Sequence, residues 1–212
     1  AREYRIHISC GRVYRLMKAM NLPKMSTVKP FQKKSKTASD EEFKNILNQK
    51  FNPKEPNKVW VCDFTYIRVC GRYYYLCAII DLFSRKVIAY KLSNRIDTQL
   101  AIDAVKLAVA SRGKSNGIIF HSDRGSQFTS SKFRKHLDNL NIIQSFSAKG
   151  HPYDNAVIEC FFKYLKKEEV NRKSYASLAD LKLSLFEYIN GFYNSVVFFA
   201  VLIKVSVCTT YK

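Results

Sequence analysis

The sequence predicts an α/β fold built on a mixed five-stranded sheet flanked by helices. Three observations predict it. Between Val59 and Ser93, three aromatic and β-branched runs follow one another with only short turns between them, as the strands of an antiparallel meander do. After Ser93 the period changes, and stretches with apolar residues at helical spacing alternate with short apolar runs. The resulting order, three strands and then helix–strand–helix–strand–helix, is that of an α/β domain.

Each element has its own signal. "VWVCDFTYIRV" (59–69) reads as the first strand, and Gly71-Arg72 marks a turn. "YYYLCAII" (73–80) is the second strand, and its continuous apolar character calls for cover on both faces. "KVIAYKLS" (86–93) is the third. Ile96, Leu100, Val105, Leu107 and Val109 mark a helix over 97–112, which Gly113 stops. "GIIFHS" (117–122) is the fourth strand, "SSKFRKHLDNL" (130–140) a helix and "NIIQSFS" (141–147) the fifth strand. "DNAVIECFFKYLKKEEV" (154–170) is a helix with Asp154 or Asn155 as its cap, and a last helix covers about 177–191.

The flanks read differently. In "SCGRVYRLMKAMNL" (9–22), Val13, Leu16, Met17 and Met20 share a helical face, Arg12, Arg15 and Lys18 lie elsewhere, and Ser9 is placed to cap. Residues 23–57 read as a linker, interrupted by Pro23, Pro30, Pro53 and Pro56. Among the 212 residues, 36 Lys and Arg stand against 17 Asp and Glu, a net charge of +19. Such an excess points to a polyanionic partner, nucleic acid before membrane. None of the six cysteines makes a C-x-x-C pair and the four histidines are scattered, which argues against structural zinc. Neither a signal peptide nor a membrane-length apolar run is visible, so the expected setting is the reducing cytoplasm, beside the nucleoid.

Three carboxylates stand out. Asp63 lies inside an aromatic strand, on the face of Val61 and Thr65, where an unpaired charge would cost several kcal/mol. Asp123 ends the fourth strand, and strand ends are where open α/β sheets bind ligands. Glu159 has Asn155, Lys163 and Lys166 as its helical neighbours, while Ile158, Phe161, Phe162 and Leu165 face a core. Each has an ordinary local explanation: a hydrogen-bonded strand Asp, a turn Asp before Gly125, a surface Glu–Lys pair. Together they form the oxygen-donor set that hard divalent cations prefer.

The stretches "PNKVWVCDFTYI", "YYYLCAIIDLFSRKVIAY", "FHSDRGSQFTS" and "KGHPYDNAVIECFF" resemble the catalytic core of bacterial insertion-sequence transposases. That core is similar to retroviral integrase and ribonuclease H. The resemblance implies a ribonuclease-H-like fold over 58–195 and an Asp-Asp-Glu triad at Asp63, Asp123 and Glu159. The 35 residues from 124 to 158 separate its last two members. It implies two Mg²⁺ ions, with Mn²⁺ as a substitute. It also implies cleavage of DNA ends by water and attack of the freed 3′-hydroxyl on target DNA. DNA is then the partner, and the chain works as a homo-oligomer on it.

Lys163, Lys166, Lys149, Arg124, Arg12 and Arg15 are the expected DNA contacts, whereas Asp81 in "IDLFSR" is expected to anchor a turn with Arg85. Local hydrogen bonding around the turn is expected of His121 and Gln127. Residues 1–22 resemble only the last helix of the family's helix-turn-helix arm, which suggests a separate upstream helix-turn-helix protein as a further partner. After Ser195 the family's polar tail is replaced by "VVFFAVLIKVSVCTTYK" (196–212), as if the reading frame had changed. That run reads as a divergent apolar tail. The competing function is a catalytically inactive DNA-binding remnant of such a transposase.

Overall fold

The computed structural model describes residues 9–20, 43–113, 116–148, 150 and 152–196. The chain divides into two units, Ala1–Thr37 and Ala38–Lys212. The first contains α1 (Cys10–Ala19), capped as expected by Ser9, whose hydroxyl accepts from the Arg12 N–H at 3.3 Å. It buries none of its side chains, so Val13, Leu16, Met17 and Met20 stand exposed.

The second unit is organised by one five-stranded sheet. Its strands are β1 (Val59–Val69), β2 (Arg72–Asp81), β3 (Val87–Ser93), β4 (Ile119–Ser122) and β5 (Ile143–Phe146), in the order β3-β2-β1-β4-β5. The first three form the expected antiparallel meander, and β4 and β5 add in parallel. Val69 pairs with Arg72, so Cys70 and Gly71 alone make the first turn. Both have positive φ, 47° and 78°, the geometry whose twist matches the flanking strands.

Alternation along β1 and β2 divides their side chains between two cores. On one face Val61, Ile67, Ala78 and Ile80 meet α5 (Ala156–Glu168) through Ile158, Phe161, Phe162 and Leu165, and α6 (Leu178–Phe186) through Leu181 and Leu185. On the other, Trp60, Cys62, Cys77 and Ile79 lie under α2 (Thr98–Arg112). Phe128 from α3 (Ser126–Thr129) and Phe133 and Leu137 from α4 (Ser131–Asp138) complete that layer. β2 is therefore covered on both faces, as its unbroken apolar run requires.

Three features differ from the expectation. The segment 43–57 is packed onto the core rather than being free linker. Leu47 is buried, Phe43 meets Phe146 edge-on at 4.8 Å, and the Phe146 N–H donates to the Lys44 carbonyl at 3.0 Å. The segment thereby covers β5, the sheet's outer strand. The last helix is α-helical only to Phe186 and continues as a π-helical stretch, Glu187–Tyr193. This wider turn delivers Asn194 to the opposite edge of the sheet: its side chain accepts from Val87 N–H at 2.9 Å and donates to Val87 C=O at 3.0 Å. Capping of α5 by Asp154 or Asn155 is not made: Asn155 stands at the cap position without a side-chain bond to the helix. Residues 197–212, nearly all of the expected apolar tail, lie outside the described residues.

Candidate active site

Strand pairing brings the two aspartates together. β1 and β4 run parallel with Val59 opposite Ile119, Trp60 opposite Phe120 and Val61 opposite His121. The same offset, carried two residues past the last paired residues, directs Asp123 toward Asp63. Neighbouring strands lie about 4.8 Å apart. Ala78 faces Asp63 on the other side, a small residue that leaves room above the carboxylate. Asp63 shares its face of β1 with Val61 and Thr65, and that is the face α5 covers. The apolar stripe of α5 is buried, so Glu159 in its first turn points outward and is exposed.

The field at Asp63 shows how these groups are related. Its carboxyl is half-buried and pushed up from 3.8 to about 7. Burial is the main cause. The Phe64 N–H, donating to Asp63 Oδ1 at 2.7 Å, opposes it, and the negative charges of Asp123 and Glu159 add to it. Asp123 and Glu159 therefore both lie within electrostatic reach of the half-buried Asp63. Asp123 is exposed, and its Oδ1 accepts the Gly125 N–H at 2.9 Å, closing an Asx turn. A β-carbon at Gly125 would lie 3.0 Å from that same oxygen and 3.1 Å from Gln127 Oε1, so a larger residue there would push the Asp123 carboxylate and the Gln127 amide aside by a few tenths of an ångström.

As they stand, no three His, Cys, Asp or Glu side chains among the described residues are grouped closely enough to hold a metal ion. Asp63 and Asp123 each turn an oxygen to a main-chain N–H. The donor set nonetheless fits a hard divalent cation. It is all oxygen, open to solvent at Asp123 and Glu159, and at Asp63 it raises a carboxyl in the way a nearby cation would reverse.

The remaining expected residues divide. Lys163 is exposed one turn beyond Glu159. Lys166 lies with its ammonium 4.3 Å over the ring of Tyr66. Arg12 and Arg15 are exposed on α1 in the first unit. Arg124, expected on the DNA surface, donates from Nε to the Ser147 carbonyl at 3.0 Å and from Nη2 to the Phe43 carbonyl at 3.3 Å. Lys149 lies outside the described residues.

Asp81 is fully buried and anchors its turn, accepting Ser84 Oγ at 2.6 Å, Ser84 N–H at 3.0 Å and Asn57 N–H at 3.0 Å. The Arg85 guanidinium goes elsewhere, to the Phe51 carbonyl and Asn52 Oδ1, both at 2.8 Å. His121 is buried between the hydroxyls of Ser145 (2.9 Å) and Ser147 (3.2 Å), and burial lowers its imidazole to about 4.

Asp154 is a supporting residue whose role differs from the helix cap that the sequence suggests. It is buried and accepts from Asn45 Nδ2 at 2.8 Å, Gln49 Nε2 at 2.9 Å and Ala148 N–H at 2.8 Å. It thus ties the segment before β1 and the chain leaving β5 to the start of the Glu159 helix. Its partners Asn45 and Gln49 are more than a hundred positions away in sequence, so no local pattern marks it.

This mixed sheet, in the order β3-β2-β1-β4-β5 with helices on both faces, is the ribonuclease-H-like fold. The catalytic domain of Mos1 mariner transposase shares that fold, with a TM-score of 0.54 and 17% identity over 68% of this chain and 76% of that one. The same domain has been solved with raltegravir and Mg, at a TM-score of 0.52. Residues 53–152 and 159–196 each match a family model for an integrase core domain. The transposase of insertion sequence element IS904 from Lactococcus lactis is 35% identical over 87% of this chain and 73% of its own length. Transposase InsF of IS3A from Escherichia coli K12 is 39% identical over 71% of this chain, but this covers only 52% of InsF. The chain belongs to this family of insertion-sequence transposases with an integrase core.

Proposed function

We propose that this chain cleaves DNA strands and joins them to target DNA during transposition of an insertion sequence, with Asp63, Asp123 and Glu159 as its metal-holding carboxylates. One observation carries the reading: the β1–β4 register directs Asp123 toward Asp63, and the half-buried Asp63 carboxyl, raised chiefly by burial, is raised further by the charges of Asp123 and Glu159. A cluster kept at that electrostatic cost is what a cation site needs before its ion arrives. Two Mg²⁺ ions, or Mn²⁺ in their place, would supply activation of a water or 3′-hydroxyl and neutralise charge at the phosphodiester.

The chain's own residues supply the rest. The Asx turn at Gly125 holds Asp123 at the end of β4, and the buried stripe of α5 fixes the outward direction of Glu159. Lys163, beside Glu159 on the same helical face, contacts phosphate. The net charge of +19 supplies affinity that does not depend on base sequence. Arg12 and Arg15 on α1 add phosphate contacts from the first unit, and Lys149 adds another. The working form is a homo-oligomer on DNA, with an upstream helix-turn-helix protein supplying recognition of the element ends.

The test is nicking of supercoiled plasmid by the full chain with Mg²⁺ or Mn²⁺. The parent should nick, and Asp123→Asn should lose orders of magnitude in rate while binding DNA almost unchanged. Equal nicking by parent and variant would overturn the assignment. A parent that binds DNA but nicks with neither ion would make the chain a binding remnant.

A further inference from the structure

Tyr66 and Tyr73 are unusual side chains to leave in solvent. Both are more than half exposed, at 58% and 53%, and their rings meet edge-to-face at 5.7 Å. They stand diagonally across the β1–β2 ladder, near its turn, on the sheet face opposite Asp63. What surrounds the pair is positive charge. Arg68 shares their face, Arg72 is exposed at the same hairpin end on the other face, and no acidic side chain pairs with either among the described residues. Lys166 completes the set, with its ammonium 4.3 Å over the Tyr66 ring.

Lys166 also shows where this patch lies relative to the carboxylates. It belongs to α5, the helix of Glu159, which packs on the Asp63 face. To reach Tyr66 it passes around the edge of β1. That edge is open, because β4 pairs only with Val59–Val61. A strand leaving the carboxylates over this edge would meet the tyrosines next.

We propose that Tyr66 and Tyr73, with Arg68, Arg72 and Lys166, form a stacking platform for unpaired nucleotides of a DNA strand beside the carboxylate site. Aromatic faces stack any base, and flanking guanidinium and ammonium groups hold the backbone phosphates. The charge favours this occupant over a protein: an apolar protein surface would gain nothing from three cations that lack acidic partners among the described residues. The proposal rests on the reading that the chain acts on DNA and assigns a place for strands that are not in duplex form.

The experiment compares binding of a short single-stranded oligodeoxynucleotide and a duplex of equal length by the full chain, at several salt concentrations. Tyr66→Ala should weaken single-strand binding about ten- to a hundredfold. It should leave duplex binding and the salt slope unchanged, since no charge is lost. Tyr66→Trp should restore single-strand binding, which a merely structural tyrosine would not predict. Thermal melting checks that the alanine variant is folded, as expected for an exposed ring. Parental single-strand affinity in Tyr66→Ala overturns the platform and leaves the transposase reading intact. So does an equal loss on duplex, or a tryptophan variant as weak as alanine. If the parent binds neither DNA, both the platform and the reading beneath it fall.

Discussion

Replacing Asp63 by Asn should make the metal-free protein more stable while abolishing the proposed strand cleavage. The two side chains have the same shape, and Asn keeps the oxygen that accepts from Phe64 N–H. What changes is charge. The Asp63 carboxyl is raised from 3.8 to about 7, chiefly by burial and then by Asp123 and Glu159. Its folded form therefore holds a proton that the unfolded chain has already released. The stability linked to that proton is fully present below about pH 3.8 and is lost as pH rises through about 7. A rise from 3.8 to about 7, at about 1.4 kcal/mol for each pH unit, sets a ceiling of about 4 kcal/mol, and solvent near the group reduces it to about 2. For a chain of this size that is roughly 4–8 °C in melting temperature. Thermal melts in chelator should show Asp63→Asn ahead of the parent by this margin at pH 8, with the gap closing at pH 4. Added Mg²⁺ should then raise the parent and leave the variant nearly unmoved. A variant that melts no higher than the parent at pH 8 would refute the electrostatic reading. So would a gap of the same size at both pH values.

Other expectations follow from the same structure. Lys163→Glu should weaken DNA binding and reduce the salt slope by about one unit, read from affinity against salt concentration; an unchanged slope would mark Lys163 as a surface partner of Glu159. Asp154→Ala should cost about 3 kcal/mol or more in urea unfolding, because it strands donors on Asn45, Gln49 and Ala148. Limited proteolysis should then open the segment 43–52 first. Asn194→Ala should cost about 1–2 kcal/mol, since it frees both polar groups of Val87 at the sheet edge. Truncation after Val196 keeps Asn194, and should leave the melting temperature unchanged while raising solubility; a drop of several degrees would make the tail part of the fold.

Much of the scaffold is legible locally. Alternation in "VWVCDFTYIRV" places Asp63 on the face of Val61, and the helical spacing of Ile158, Phe161, Phe162 and Leu165 turns Glu159 outward; both hold in the structure. The continuous run in "YYYLCAII" requires two covered faces and has them. These features are readable because side-chain direction repeats every two residues in a strand and every 3.6 in a helix, so neighbours in sequence suffice.

Contacts between distant segments were decided by the tertiary structure alone. The parallel pairing of β1 with β4, sixty positions apart, directs Asp123 toward Asp63; the resemblance in sequence names both residues but carries no register. Arg124 is basic and sits in the motif, yet folding brings the carbonyls of Phe43 and Ser147 to its guanidinium. Asp154 looks like a helix cap because caps are local, but segment 43–49 supplies better donors. Residues 43–57 look like linker because prolines and charges are read one at a time. Packing of Leu47 and Phe43 becomes favourable only once β5 and the sheet exist to receive them.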